Sequence, residues 1–111
     1  MSTLTGLEKL TLEQALEMGE GYVLGFSNPS YASFFMDFFD LDIYEEKYHH
    51  ASGSKANRMR ALWRLENDYL VGQVLSTIFD NWQAFRNFDS PEQPPEDAVQ
   101  IARRLRESAP V

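Results

Sequence analysis

The clearest hydrophobic pattern in the chain runs from about Tyr69 to Arg86. Apolar side chains recur there at the spacing of one buried helix face, at Val71, Val74, Leu75, Ile78, Phe79, Trp82 and Phe85. The opposite side is small or weakly polar, with Gly72, Gln73, Ser76 and Thr77. Asn67 or Asp68 is suited to cap the segment. We expect one long helix at the centre of a bundle.

Two helices are predicted before this segment by caps and by hydrophobic period. The first opens at Thr11, because Thr11 and Gln14 have the spacing of a capping box, and Gly19 supplies a stop. The second covers residues 27–40, with Ser27 or Asn28 as its cap and Pro29 in its first turn. Its apolar face consists of Tyr31, Phe34, Phe35 and Phe38. Between these helices, residues 22–26 ("YVLGF") form an extended segment or a buried turn.

Two further helices complete the predicted bundle. One runs from Lys55 to about Glu66 after a Ser54 cap, and the last runs from about Pro95 to Ser108. The last helix turns Ala98, Ile101, Ala102 and Leu105 inward. A long connection at about residues 40–53 has no helical period, and we expect Ile43, Tyr44 and Tyr48 to pin it to the core.

These elements predict an all-α fold: one compact domain of about five helices that includes the long ordered connection. The core is expected in about residues 11–86. Residues 87–95 form a proline-rich connector, which leaves open whether the C-terminal helix is detachable. The length of 111 residues fits a single domain with a core, and 43% hydrophobic residues argue against disorder.

The composition limits the kinds of site and the cellular location that can be expected for this protein. There is no cysteine, so disulfides and thiolate metal sites are excluded. No apolar run is long enough for a membrane span, and the N-terminus lacks the pattern of a secretion signal. We expect a cytoplasmic protein that has no membrane contact.

Charge is distributed unevenly along the chain, whose formal net charge is −7. Residues 1–50 carry two basic side chains and nine acidic ones, whereas residues 51–111 carry eight of each sign. This asymmetry predicts ion pairs between the two halves of the sequence. It argues against a nucleic-acid partner, because such proteins usually present a net basic footprint.

One short segment concentrates positive charge, with Lys55, Arg58, Arg60 and Arg64 inside the third predicted helix. Arg58 falls beside the apolar arc of that helix, so we expect it to be buried and to pair with an acid of residues 37–46, first of all Asp42. Lys55, Arg60 and Arg64 lie elsewhere on the helix. They form either a solvated face or a docking surface for an acidic partner.

Catalytic and metal-binding patterns are weak. Glu46, His49 and His50 offer metal-binding side chains, but the second half of a carboxylate-bridged motif is missing. The acidic run that begins at Asp40 fails the ligand spacing of a calcium loop. No histidine follows His50 to serve a nucleophile later in the chain. We therefore expect no enzyme, metal or cofactor.

Several short runs, in order, resemble an N-terminal module of bacterial abortive-infection-type proteins, which defend against phage. The runs cover roughly residues 20–86: "YVL-F" at 22–26, "FF" at 34–35, "DIY-EKY" at 42–48, "SKANR-RALW" at 54–63 and "VG-VL" at 71–75. The resemblance implies a non-catalytic sensing or adaptor module, with the toxic activity in a domain further along such proteins. The Arg-x4–6-His signature of helical ribonucleases common in these systems is absent, because both histidines precede Arg58.

Two functions from different classes follow, and a third is weaker. The first is a protein–protein interaction or regulatory module in anti-phage defence, whose partner is an effector or another defence protein. The second is an acidic antitoxin or inhibitor that blocks a basic nuclease site. The third is a small metal enzyme built on Glu46, His49 and His50. Homo-oligomer formation stays open.

Overall fold

A computed structural model of the chain describes residues 1–108 and contains helices but no strand in that range. The helices are α1 (Gly6–Ala15), α2 (Asn28–Phe39), α3 (Lys55–Leu65), α4 (Asp68–Asp80), α5 (Trp82–Phe85) and α6 (Glu96–Arg106). A 3₁₀ turn, Glu46–Tyr48, interrupts the connection between α2 and α3. Because α5 is a single turn, the predicted all-α bundle of about five helices is confirmed.

Helix α4 is buried on two sides. Leu75 and Ile78 are fully enclosed and Phe79 is nearly so, as the apolar period predicts. On the other side, Gly72 allows the backbone of α6 to approach. A β-carbon at this position would lie only 2.2 Å from the Arg106 backbone nitrogen. The small residue therefore permits the close approach of the two helices.

The long helix predicted to reach Arg86 ends earlier, at Asp80. The Asn81 side-chain amide donates to the Thr77 carbonyl at 2.8 Å, and its backbone leaves the helical region. Asparagine favours such local side-chain bonds over a continued helix. Trp82 then begins α5, and its indole N–H donates to the Pro91 carbonyl at 2.7 Å.

Helix α6 is packed into the bundle and is not a separate appendage in this structure. Ala98, Ala102 and Leu105 are buried, while Ile101 is only partly buried. Arg104 donates to both carboxylate oxygens of Glu8 at 2.8 and 2.9 Å, which ties α6 to α1.

Two corrections concern α1. It begins at Gly6 and not at Thr11, because Thr5 and Glu8 form the capping box with reciprocal bonds of 3.1 and 3.0 Å. Thr11 lies inside the helix and donates to the Leu7 carbonyl. The sequence contains two matches to the same motif, and the upstream one defines the helix start.

The end of α1 also differs from the prediction. The helix stops at Ala15, and Glu17 takes the left-handed conformation (φ 57°) that glycine usually supplies. The backbone N–H of Met18 donates to the Glu13 carbonyl at 3.0 Å, which closes the turn. The predicted stop at Gly19 is therefore wrong by a few residues.

Residues 22–26, for which an extended segment and a buried turn were both predicted as possible, form a turn in which Val23, Leu24 and Phe26 are buried and Tyr22 is exposed. The backbone N–H of Leu24 donates to the Leu16 carbonyl and that of Gly25 to the Phe85 carbonyl. These bonds place the turn between the end of α1 and α5.

Helix α2 begins at the Ser27 cap as predicted, with reciprocal hydrogen bonds between Ser27 and Ser30. Its face is narrower than predicted, because Phe38 contacts Phe34 but is 56% exposed. In the following connection, Ile43 and Tyr48 are buried as expected. No helix in residues 1–108 is long and apolar enough to cross a membrane.

Candidate functional site

The basic segment, residues 55–64, lies mostly inside the fold. Lys55, the first residue of α3, is only 9% exposed. Its Nζ donates to Asn28 Oδ1 at 2.9 Å and lies 5.2 Å from the centre of the Tyr22 ring. Lys55 therefore does not belong to an exposed docking surface, because an amide and an aromatic face enclose its charge.

Arg58 is also 9% exposed, as predicted, but its partners are not carboxylates. Its guanidinium donates to the carbonyls of Gly53 and Ile43 at 3.0 and 3.1 Å and stacks 4.7 Å from the Tyr44 ring centre. The predicted ion pair with Asp42 is wrong. Asp42 instead accepts a local bond from the backbone N–H of Tyr44 at 2.9 Å, which keeps its carboxylate in its own turn.

Two tyrosines near Arg58, Tyr31 and Tyr44, have pKa values above the ordinary value of the phenol. Burial raises the pKa of Tyr31 and of Tyr44, and the nearby charge of Arg58 acts in the opposite direction without reversing the shift. The Tyr31 hydroxyl donates to the Lys55 carbonyl at 3.0 Å. Neutral rings suit the role of covering cations, because their faces carry negative partial charge.

The two remaining cations differ. Arg60 Nε donates to Glu13 Oε2 at 2.6 Å, and Arg60 also contacts Asn57. Arg64 is exposed and forms no ion pair with any residue in 1–108. The three ion pairs of that range each join the first half of the sequence to the second, as the charge asymmetry predicted: Lys47–Glu66, Arg60–Glu13 and Arg104–Glu8.

The structure does not bring Glu46, His49 and His50 together with other metal-binding side chains of residues 1–108. His49 and His50 are exposed, and the ring of His49 lies against Gly53. Within residues 1–108, no three side chains of His, Cys, Asp or Glu converge at a distance suited to a metal ion.

One concavity lies between two loops and has a volume of about 640 Å³. We call it the acidic groove. Its lining residues come from the segment after α1 and from the segment after α5: Glu17, Gly19, Glu20, Tyr22, Leu24, Gly25, Phe26, Asn87 and Asp89. No lysine, arginine or histidine lines it. The groove therefore combines three carboxylates with an exposed aromatic ring and an apolar floor.

The floor and wall of the acidic groove are held by packing. Phe26 is buried and stacks on Phe85 with ring centres 4.8 Å apart. Tyr22 is 58% exposed, and Lys55 lies over its ring. The buried cation therefore helps to set the position of the ring that forms the groove wall.

Glu17 joins the two sides of the groove. Its carboxylate accepts from Asn87 Nδ2 at 2.9 Å and from Ser90 Oγ at 2.7 Å. The backbone N–H of Asn87 also donates to Ser90 Oγ at 2.9 Å. Glu17 thus has a structural role, and Glu20 and Asp89 are the exposed carboxylates available to a ligand.

Sequence patterns identified the basic segment and missed this groove. Its two sides are separated by about 70 residues, and no motif marks them as neighbours. No protein-family model, curated protein or solved structure matches the chain. The resemblance to abortive-infection modules therefore stays a prediction.

Proposed function

We propose that this protein is a non-catalytic interaction module that binds a basic segment of a partner protein in the acidic groove. The observation that supports this function is the joining, in one concave surface, of exposed carboxylates with an aromatic wall and an apolar floor. Such a surface suits arginine and lysine, whose aliphatic stems cover apolar groups while their charged ends meet carboxylates.

The electrostatics of the chain agree with this partner. With a net charge of −7, the protein attracts basic segments over a distance, and a groove with no basic residue in its lining concentrates that attraction. Charge complementarity of this kind contributes to association rate and specificity. Tyr22, which is 58% exposed, adds apolar surface that the aliphatic stem of a basic side chain can cover.

The basic segment is a weaker candidate for the interaction surface. Of Lys55, Arg60 and Arg64, the first is enclosed and the second is paired with Glu13. A single exposed arginine gives little specificity for an acidic partner. The groove therefore supports the binding function better than the surface expected from the sequence.

The biological setting of the proposal comes from the resemblance given above. We place the module in the bacterial cytoplasm, as a regulatory or adaptor element of anti-phage defence whose partner is an effector or another defence protein. The acidity of the groove favours a more specific form of this function as the second candidate. In that form the protein acts as an inhibitor that occupies the basic site of a nuclease.

The test uses the full chain and a synthetic peptide of alternating arginine and serine. In the variant Glu20→Gln/Asp89→Asn, we expect the affinity for this peptide to fall by about 5- to 30-fold, because two favourable charge contacts are lost. The advantage of the wild type should shrink between about 0.05 M and 0.5 M salt, since screening weakens exposed charge pairs.

The matched control is Glu45→Gln/Glu46→Gln, which removes the same charge from two exposed residues outside the groove. If net charge alone attracts the peptide, both double variants lose affinity equally and the groove function is rejected. Absence of measurable binding by the wild type also rejects it.

A further inference from the structure

Phe88 is the most exposed large apolar side chain among residues 1–108, with 102% of its reference surface in contact with solvent. Its aromatic ring makes no ring-to-ring contact with the aromatic residues of the core in that range. A phenylalanine in this position adds nothing to the packing of the fold. Its exposure is unusual because aromatic side chains supply much of the energy of cores and interfaces.

The loop that carries Phe88 is tightly hydrogen-bonded. Arg86 Nη2 donates to the Phe88 carbonyl at 3.2 Å and also to the Ser90 carbonyl. The backbone N–H of Ser90 donates to the Asn87 carbonyl at 3.1 Å, which closes the turn on both sides of Phe88. Glu17 anchors the same turn through Asn87 and Ser90. The backbone beneath the exposed ring is thus held from several directions.

Phe88 lies beside the acidic groove without lining it: it lines a second concavity together with Gln83, Arg86 and Glu92, and Asn87 belongs to both concavities. Its two neighbours in the chain, Asn87 and Asp89, both line that groove. Because adjacent residues lie about 3.8 Å apart along the backbone, a partner segment that places a cation beside Asp89 brings its neighbouring side chains close to Phe88. The exposed aromatic and the exposed carboxylate are presented together by one turn.

We propose that Phe88 is an anchor residue, which packs against an apolar side chain next to the cation that the partner inserts in the groove. This inference rests on the proposed function and specifies the partner: a basic segment with interspersed apolar side chains and not merely a polyvalent cation. Charge complementarity identifies the partner as basic, and the ring of Phe88 identifies the neighbouring contact as apolar.

The energetics of interfaces support this assignment. A few central aromatic residues usually carry much of the binding energy of an interface, surrounded by contacts of small effect. An anchor held before binding loses less conformational entropy when the complex forms. The hydrogen bonds around Asn87 and Ser90 reduce that loss for the backbone of Phe88.

The experiment compares two peptides on the full chain: the arginine–serine peptide and one of the same length in which leucine replaces serine. We expect the wild type to bind the leucine peptide roughly tenfold more tightly, since the leucines contact Phe88. Phe88→Ser should remove this advantage and leave the affinity for the arginine–serine peptide unchanged. Thermal melts should show no loss of stability, because Phe88 is not packed.

The control is Leu7→Ser, which changes another exposed apolar residue, 77% exposed on α1, and should preserve the advantage of the leucine peptide. If Phe88→Ser retains that advantage, the anchor assignment is overturned. The proposed function still stands in that case, provided that Glu20→Gln/Asp89→Asn weakens both peptides. If this double variant has no effect on either peptide, the proposed function itself fails.

Discussion

The basic segment of α3 and the acidic groove are two charged regions that differ in how much of their charge is exposed to solvent. In the basic segment, Lys55 and Arg58 are buried against an amide, backbone carbonyls and tyrosine rings. In the groove, Glu20 and Asp89 remain exposed. A local concentration of charge in the sequence therefore does not identify a binding surface, because the fold decides which charges reach solvent.

The difference has a chemical origin. Lysine and arginine have long apolar stems and several donors, so the fold can bury the stem and satisfy the donors with carbonyls. Carboxylates have short stems and need donors around them. In the groove only Glu17 finds such donors, from Asn87 and Ser90. The remaining acids stay in water, where they are free to contact a partner.

The largest effect that would sharpen this comparison is expected at Arg58. Arg58→Ala should reduce the free energy of unfolding by about 2–4 kcal/mol, because it removes buried packing and leaves the carbonyls of Gly53 and Ile43 without their donor. Denaturant melts measure the change. Arg64→Ala is the matched control and should change the free energy by less than about 0.5 kcal/mol. Equal losses in the two variants would contradict the assigned burial of Arg58.

The next largest effect is expected at Glu17. Like Lys55 and Arg58, this residue has its charged group hydrogen-bonded within the fold. Glu17→Ala removes the acceptor for Asn87 and Ser90, so we expect a loss of about 1–2 kcal/mol in denaturant melts. Glu20→Ala, a neighbouring exposed acid, serves as the comparison. If both substitutions leave the melts unchanged, Glu17 does not join the two loops.

A smaller effect is expected for the ion pair between Arg60 and Glu13, which is less buried than Arg58 and less exposed than Glu20 and Asp89. Their side chains are 32% and 27% exposed, so solvent screens the 2.6 Å contact. A double-mutant cycle with Arg60→Ala and Glu13→Ala should give a coupling energy of about 0.5–1 kcal/mol. A coupling energy of several kcal/mol would show that solvent does not screen this pair, and that it behaves like a buried interaction.

The smallest effect on stability belongs to the exposed acids. Glu20→Gln/Asp89→Asn should change the free energy of unfolding by less than about 0.5 kcal/mol, because neither side chain packs in the core. The same variant should lose affinity for the arginine–serine peptide. A clear loss of stability in melts would show that these carboxylates support the fold, and the contrast with Arg58 would disappear.

The sequence alone predicted the elements whose signals are local. Ser54 caps α3 as predicted, and the caps of α2 and α4 are Ser27 and Asn67, each one of the two residues that the sequence offered. The burial of Arg58 also followed from its position on the helix, although its partners did not. Caps and helical periods depend on residues within about one turn of each other, so the order of residues largely determines them, except where two cap motifs compete, as at Thr5 and Thr11.

Only the tertiary structure decided which charged side chains are paired or buried and which remain exposed. The bond from Ser90 to Glu17 spans 73 residues and that from Arg60 to Glu13 spans 47, and no local pattern specifies either pairing. Glu17 adopts the left-handed conformation two residues before the predicted stop at Gly19, and the same residue makes these long-range contacts. Burial depends on which segments meet in space. The cations are enclosed only once α3 has met α2 and the connection that follows it, and the acidic groove exists only once the segments after α1 and α5 lie side by side.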